Sequence, residues 1–193
     1  MKNIESLQKF IQHINPMEVI DVDKITSTFR PIVIKKGDFL LKENDISDDY
    51  LYLESGVMRT FVYDLEGDEI TTDIFTQNSI VFEITSFFNR VRSEANIQAV
   101  TDCFGYRISY QELNTLFHDK PAFRDFGRAI LVKEFIASKR RNYAMINQTA
   151  ERRYKNLVGQ RPEIIKHTPL KYVASYLGIT DSTLSRIRKN IGN

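Results

Sequence analysis

Short runs of β-branched and aromatic residues alternate with turn residues between Arg30 and Ser109. PIVIKK, DYLYLESG, VMRTFVYD and EITTDIF are examples, and later runs read NSIVFEI and EANIQAVTDCFGYRIS. Glycine, aspartate and asparagine separate the runs at intervals of roughly ten residues, a spacing typical of an all-β sandwich or barrel. The pattern therefore predicts a β domain that occupies most of residues 1–118.

Apolar residues recur at helical spacing on both sides of this β region. Before it, two short helices packed on the β domain are predicted from Ile4, Leu7, Ile11, Ile14, Val19, Val22 and Ile25. After it, SYQELNTLFHD predicts a helix in which Ser109 is the N-cap and Glu112 completes a capping box.

A long helical stretch is predicted from Pro121 to about residue 158. Proline suits the first turn of a helix, where its missing N–H would have no partner. Apolar residues lie on several faces of this stretch, so several faces must be covered. One face can lie on the β domain, and the rest predicts a two-fold dimer through residues 119–148, with Ile130 and Phe135 as contacts. Burial within a monomer is the alternative.

The segment from Leu170 to Ile187 predicts a helix-turn-helix. Arg161-Pro162 marks a boundary before it, because the residue before a proline avoids helical geometry. Glycine is favoured in the turn that ends a first helix, and a small residue is needed where two helices cross. The motif's apolar, small and turn positions are all filled as required, by Val173, Ala174, Leu177, Gly178, Ile179, Leu184 and Ile187.

The second helix of such a motif enters the major groove of DNA. Thr180 is its expected N-cap. Arg186 can form a bidentate contact with guanine. The residues that suit phosphates are Thr168, Lys171, Arg188 and Lys189. The candidate DNA-binding residues are Thr168, Lys171, Thr180, Asp181, Ser182, Ser185, Arg186, Arg188 and Lys189.

The charge of the chain is divided between its two parts, although the net charge is only +2. Residues 1–118 hold 11 Lys and Arg against 19 Asp and Glu, a net charge of −8. Residues 119–193 hold 16 against 6, a net charge of +10. An acidic body joined to a basic end fits a sensor attached to a nucleic-acid-binding module.

Other residue types exclude several classes of protein. The single cysteine, Cys103, rules out a disulfide framework or a cysteine-ligated cluster, and His13, His118 and His167 are scattered. We therefore expect no metal, no cofactor and no enzymatic activity. The chain has no apolar run of membrane-spanning length and no signal peptide, so we expect a cytoplasmic protein without a membrane partner.

The order of β domain, long helix and terminal helix-turn-helix resembles the Crp/Fnr family of transcription regulators. VIKKGDFLLKENDISDDYLYLESGVMRTFVYDLEGDEIT is similar to the family's cyclic-nucleotide-binding-type jelly roll. RRYKNLVGQRPEIIKHTPLKYVASYLGITDSTLSRIRK is similar to the C-terminal part of a subgroup common in Bacteroidetes. The resemblance implies an α+β chain with a jelly-roll sensor (1–118), a dimerisation helix (119–148) and a helix-turn-helix domain (149–193).

The chain departs from the family pattern at two places. Members that bind cyclic AMP carry a Gly-Glu pair and, some residues later, an Arg-Ser pair that holds the phosphate. Here Phe82 precedes Glu83, and Ser93 and Glu94 stand where Arg-Ser is expected, with Arg92 one residue early. A shift of one residue turns a strand side chain to the other face. The sequence also ends soon after the second helix, so we expect no full wing.

These observations predict a homodimeric, sequence-specific transcription regulator that is independent of cyclic AMP. Its expected partners are double-stranded DNA, a second copy and RNA polymerase, with the effector unidentified. One alternative is a regulator gated by a cyclic nucleotide or another small anion held by Glu83, Arg92 and Ser93. Another is a protein-interaction module that binds nucleic acid without specificity.

Overall fold

The computed structural model describes residues 4–192, apart from the side chains of Val19 and Ile20. Two helices, α1 (Glu5–Ile14) and α2 (Val19–Thr26), precede the first strand, as the apolar spacing predicted. Leu7, Ile11, Val22 and Ile25 are buried. The predicted contact of the Val19 side chain lies outside the described residues.

Eight antiparallel strands form the β domain, and they make two four-stranded sheets with the orders β1-β8-β3-β6 and β2-β7-β4-β5. One apolar core lies between the sheets, and a second joins the first sheet to α1 and to later helices. This arrangement confirms the predicted jelly roll. The strands are β1 (Arg30–Ile34), β2 (Phe39–Leu41), β3 (Asp49–Ser55), β4 (Met58–Tyr63), β5 (Glu69–Phe75), β6 (Ser79–Val81), β7 (Asn96–Ala99) and β8 (Cys103–Ser109).

Two predicted strands differ in the structure. The run NSIVFEI is a strand only to Val81, and helix α3 (Ile84–Asn89) follows because the Glu83 side chain caps its first turn. The run EANIQAVTDCFGYRIS contains two strands, β7 and β8, which lie in different sheets.

Helix α4 (Tyr110–Asp119) begins with the predicted capping box. The Ser109 hydroxyl accepts a hydrogen bond from the Glu112 N–H at 3.4 Å, and the Glu112 carboxylate accepts one from the Ser109 N–H at 3.1 Å. The two side chains therefore satisfy two backbone N–H groups at the start of the helix.

Helix α5 (Pro121–Asn147) divides into a covered half and an open half. Phe123, Phe126 and Ile130 are buried against the β domain, whereas every residue from 132 to 140 is exposed. The expectation that Ile130 belongs to a dimer contact is therefore wrong, because its side chain fills the core of its own β domain. Phe135 stays in the open half, with 64% of its surface exposed.

The predicted continuous stretch to residue 158 is interrupted after Asn147. Gln148 is extended, and Thr149 caps a new helix by accepting a hydrogen bond from the Arg152 N–H at 3.2 Å. Threonine at an N-cap satisfies one of the free N–H groups of the first turn. The result is a separate helix, α6 (Ala150–Gln160).

Three further helices complete the chain: α7 (Pro162–His167), α8 (Leu170–Tyr176) and α9 (Asp181–Ile191). Their apolar core also contains Val57, Ile74 and Val100 of the β domain. Within residues 4–192 no strand follows α9, and none of the described helices combines the length and apolar character needed to cross a membrane.

Candidate DNA-binding face and effector cavity

Helices α8 and α9 form the predicted helix-turn-helix. Val173, Ala174, Leu177, Leu184 and Ile187 are all buried between them and α6 and α7. Ile179 is half-buried at the edge of the same core. The side chains that the apolar spacing assigned to the core of the motif are therefore the ones that the structure covers.

Gly178 occupies the turn between the two helices with a φ of +64°, a conformation that costs a residue with a side chain roughly 1–2 kcal/mol. A Cβ at this position would also meet the end of the Met145 side chain from α5. The turn thus lies against the end of the long helix, and glycine satisfies both the backbone and the space.

The outward face of α9 is open to solvent. Asp181, Ser182, Ser185, Arg186 and Lys189 are exposed, and Thr180 caps the helix by accepting a hydrogen bond from the Thr183 N–H at 3.3 Å. Among the described residues Arg186 forms no ion pair with any carboxylate, including Asp181, so its guanidinium is available to a ligand.

Three other candidate residues differ in their exposure. Lys171 is exposed at the start of α8, as phosphate contact requires. Arg188 is half-buried, with its Nε enclosed and without a partner. Thr168 is only 5% exposed and its hydroxyl faces the interior without a partner, so the structure does not present it to DNA.

Three arginines that the sequence analysis did not single out hold the helix-turn-helix in place. Arg141 of α5 donates to the Tyr176 carbonyl at 3.1 Å, and Arg153 of α6 donates to the Leu177 carbonyl at 2.9 Å. Arg161 donates to the Ile74 carbonyl of β5. These bonds satisfy carbonyl groups at the end of α8 and on the sheet, and nothing in the sequence pattern distinguishes such arginines from solvated ones.

A cavity of about 730 Å³ lies between the second sheet, the β6–β7 segment and α5. Its apolar lining includes Phe75, Phe82, Leu131 and Phe135, and it extends as far as Tyr176 of α8. The volume is within the range of small-molecule sites in proteins.

Of the three candidate effector residues, two line this cavity and one does not. Glu83 lines it, but both its carboxylate oxygens accept hydrogen bonds from α3, at 3.2 Å from the Thr85 N–H and 2.6 Å from the Ser86 N–H. Arg92 also lines it and donates to the Asn44 carbonyl at 3.0 Å. The Ser93 hydroxyl is buried in a local turn, where it bonds to Ala95 and does not line the cavity.

Asp73 of β5 is a cavity residue that the sequence analysis missed. Its side chain is exposed to the solvent of the cavity, and the protein around the cavity partly desolvates its carboxyl. This desolvation, with a smaller contribution from the Glu134 carboxylate, raises the pKa of Asp73 to about 6 in spite of the attraction of Arg141 and Arg161. Within residues 4–192 no three His, Cys, Asp or Glu side chains are grouped to hold a metal ion.

The β domain can now be compared with known families. Residues 31–120 match the model of the cyclic nucleotide-binding domain. This match covers 90 of the 193 residues, from β1 to the end of α4. The matched residues include the Glu83 to Ala95 segment that forms one side of the cavity.

Solved structures share the fold over most of the chain. The c-di-GMP-responsive global regulator CLP of Xanthomonas campestris is 17% identical, with a TM-score of 0.71 over 91% of this chain and 92% of that one. FixK2 from Bradyrhizobium japonicum is 14% identical, with a TM-score of 0.72 over 85% and 84%. A regulator from Eubacterium rectale assigned to the crp/fnr family is 15% identical, with a TM-score of 0.70 over 91% and 84%.

These similarities confirm the Crp/Fnr architecture that the sequence resemblance predicted. At such identities they establish the fold, and function has to be argued from the site. No curated protein matches the chain in sequence. The assignment to a Bacteroidetes-like subgroup stays a prediction.

Proposed function

We propose that the protein is a cytoplasmic, homodimeric transcription regulator that binds specific DNA sequences. The observation that carries the proposal is the exposed face of α9, on which Arg186 stands free of ion pairs among the described residues while the motif's apolar residues are buried. Residues 1–118 would form the sensor, 119–148 the dimerisation helix and 149–193 the DNA-binding unit. RNA polymerase would be a further partner at regulated promoters.

Dimer formation is supported by the open half of α5. Beyond Leu131 this helix exposes the apolar side chains of Val132, Phe135, Ile136, Tyr143 and Ile146. Large exposed apolar side chains grouped on one helix mark an interaction site, and a two-fold axis along the helix buries the same surface on both copies. Two recognition helices then read two half-sites related by that axis.

The DNA-binding proposal is tested by selecting bound sequences from random duplex DNA and then comparing two variants on the selected site. Arg186→Ala should cost about 1–3 kcal/mol per half-site and relax preference at one base pair, because a bidentate guanine contact is lost. Lys189→Ala should weaken binding to all sequences alike and reduce its salt dependence. A uniform loss without altered base preference for Arg186→Ala would make Arg186 a phosphate contact.

Independence from cyclic AMP is part of the proposal. At the β6–β7 end of the cavity, Ser93 stands where the arginine of the Arg-Ser pair is expected and does not line the cavity, Arg92 is turned to the Asn44 carbonyl, and the Glu94 carboxylate lines the cavity beside it. Loss of a charged arginine partner lowers affinity by roughly 1.5–3 kcal/mol, a ten- to hundredfold effect. Calorimetric titration should therefore detect no sub-micromolar binding of cyclic AMP, and a sub-micromolar constant would refute this part.

Regulation by a different small molecule is the second candidate function, favoured by the cavity itself. The cavity has an apolar lining and charged groups of both signs, among them Asp73, Glu134 and Arg141. Screening of small acids, amines and nucleotides by thermal shift would identify such an effector. A protein-interaction module without sequence specificity is the third candidate, and a footprint confined to one defined site would exclude it.

A further inference from the structure

Strands β4 and β5 form a wall with most of the cavity on one face and the core of the helix-turn-helix on the other. Along β4, Thr60 and Val62 line the cavity, while Arg59 turns to the other side. Along β5, Asp73 lines the cavity and the neighbouring Ile74 packs in the core of the helix-turn-helix. Side chains of a strand point alternately to its two faces, so one pair of strands contacts both regions.

Arg59 is the largest side chain buried at this wall, with only 1% of its surface exposed. Its guanidinium carbon lies 4.1 Å from the ring centre of Phe61 and 3.6 Å from that of Tyr172, which belongs to α8. Its Nη2 donates to Glu69 and, at 2.9 Å, to the Gln98 side chain. The Nε and Nη1 atoms are buried without partners.

Stability alone is a poor explanation for this arrangement. A buried charge with two unpartnered nitrogens carries a desolvation cost, and well-packed apolar residues often replace buried ion pairs without loss of stability. A planar guanidinium stacked on an aromatic ring, by contrast, fixes the relative orientation of two elements. The side chain therefore specifies how α8 lies on the sheet.

A second contact, beside the stacked Arg59 and Tyr172 side chains, also holds α8 on the sheet. The Ser175 hydroxyl of α8 accepts a hydrogen bond from the Thr71 N–H at 2.8 Å and donates to the Glu69 carbonyl at 3.3 Å. Glu69 thus contacts Arg59 through its side chain and Ser175 through its backbone. The docked position leaves the face of α9 open, so it prepares the motif for DNA rather than covering it.

We propose that Arg59 is a positioning residue that holds α8 on the β4–β5 wall and so sets the direction of the recognition helix in the dimer. Because the wall also lines the cavity, the stack connects the cavity to the recognition helix within one protomer, separately from α5. This inference rests on the proposed DNA-binding function. Holding both recognition helices in fixed directions increases the effective concentration of the second at its half-site.

Three variants of the full chain test the proposal. Tyr172→Leu and Arg59→Met each remove the stack from one side, and Arg59→Met leaves Glu69 in a solvent-accessible position. Tyr172→Phe is the matched control, because it keeps the ring on the guanidinium. Hydrogen–deuterium exchange of peptides covering residues 69–76 and 170–178 reports whether α8 stays docked, and it requires no DNA.

Exchange in both peptides should accelerate in Tyr172→Leu and Arg59→Met and stay at the wild-type rate in Tyr172→Phe. On the selected DNA, the first two variants should lose roughly tenfold or more in affinity for the full two-fold site but less than about twofold for a single half-site. Unchanged exchange in Tyr172→Leu and Arg59→Met would overturn the positioning role. Equal losses on the full site and the half-site would also overturn it.

The two measurements separate this inference from the proposed function. If the wild-type chain selects no DNA sequence, the DNA-binding function fails, and the exchange measurement still decides whether Arg59 holds α8 on the wall. If the wild-type chain binds a two-fold site and exchange is insensitive to the stack, DNA binding stands and the positioning role fails.

Discussion

Replacing Phe135 by glutamate should dissociate the proposed dimer. Phe135 is 64% exposed on the open half of α5. A phenylalanine side chain buries about 200 Å² when covered, so about 130 Å² remains for a partner to cover. At about 25 cal/mol per Å² this contributes about 3 kcal/mol per copy, and two-fold symmetry doubles it to about 6 kcal/mol. Complete burial is the upper limit, so we expect the dissociation constant to rise between about 10²- and 10⁴-fold.

Sedimentation velocity from nanomolar to tens of micromolar protein measures this change. Val33→Glu is the matched control, since Val33 is 61% exposed but lies on β1, away from α5. Ile146→Glu is a second test, because Ile146 is 78% exposed on α5 and does not line the cavity as Phe135 does. The reasoning is refuted by a wild-type chain that sediments as a monomer at micromolar concentration, or by variants at both positions that remain dimers.

Two further predictions concern Asp73 in the cavity and Gly178 in the turn. The pKa of Asp73 is raised to about 6 in the folded state, so the stability of the wild-type chain should fall as the pH rises through 6, and Asp73→Asn should lack this part of the pH dependence. Urea unfolding at pH values on either side of 6 measures the difference. Stability curves that run parallel for the two proteins would contradict the assignment. Gly178→Ala should lower the free energy of unfolding by about 1–2 kcal/mol. Gly178→Asn should lower it by less, because asparagine tolerates the left-handed region. If the two variants lose equal free energy of unfolding, the contact with Met145 is the cause instead.

Local features of this fold were predictable because neighbouring residues determine them. The capping box at Ser109 and the turn at Gly178 depend on residues within a few positions, and both occur as predicted. The jelly roll follows from regularly spaced strands. The break before Thr149 had a local signal as well, a threonine N-cap followed by Glu151 in the first turn, but the apolar residues on either side suggested one continuous helix.

The contacts between distant elements were not predictable in the same way. Helical spacing groups Ile130 with other apolar residues on α5, but it does not say which face meets the β domain and which meets a partner. Arg59 lies in the run VMRTFVYD, where an arginine between apolar residues normally faces solvent. In the structure, Tyr172, which is more than a hundred residues away in the chain, covers its guanidinium. Glu83 lines the cavity, but its role as the cap of α3 depends on a helix that the strand-like pattern concealed.

The apolar core of the helix-turn-helix extends into the β domain through Val57, Ile74 and Val100. A segment consisting of residues 149–193 alone would expose the surface that these three side chains cover. The apolar core is therefore continuous across the boundary that the sequence suggests at residue 149. Exchange of recognition helices between regulators of this architecture would need to carry the facing residues of β5 and of the loops at Val57 and Val100 along with the helices.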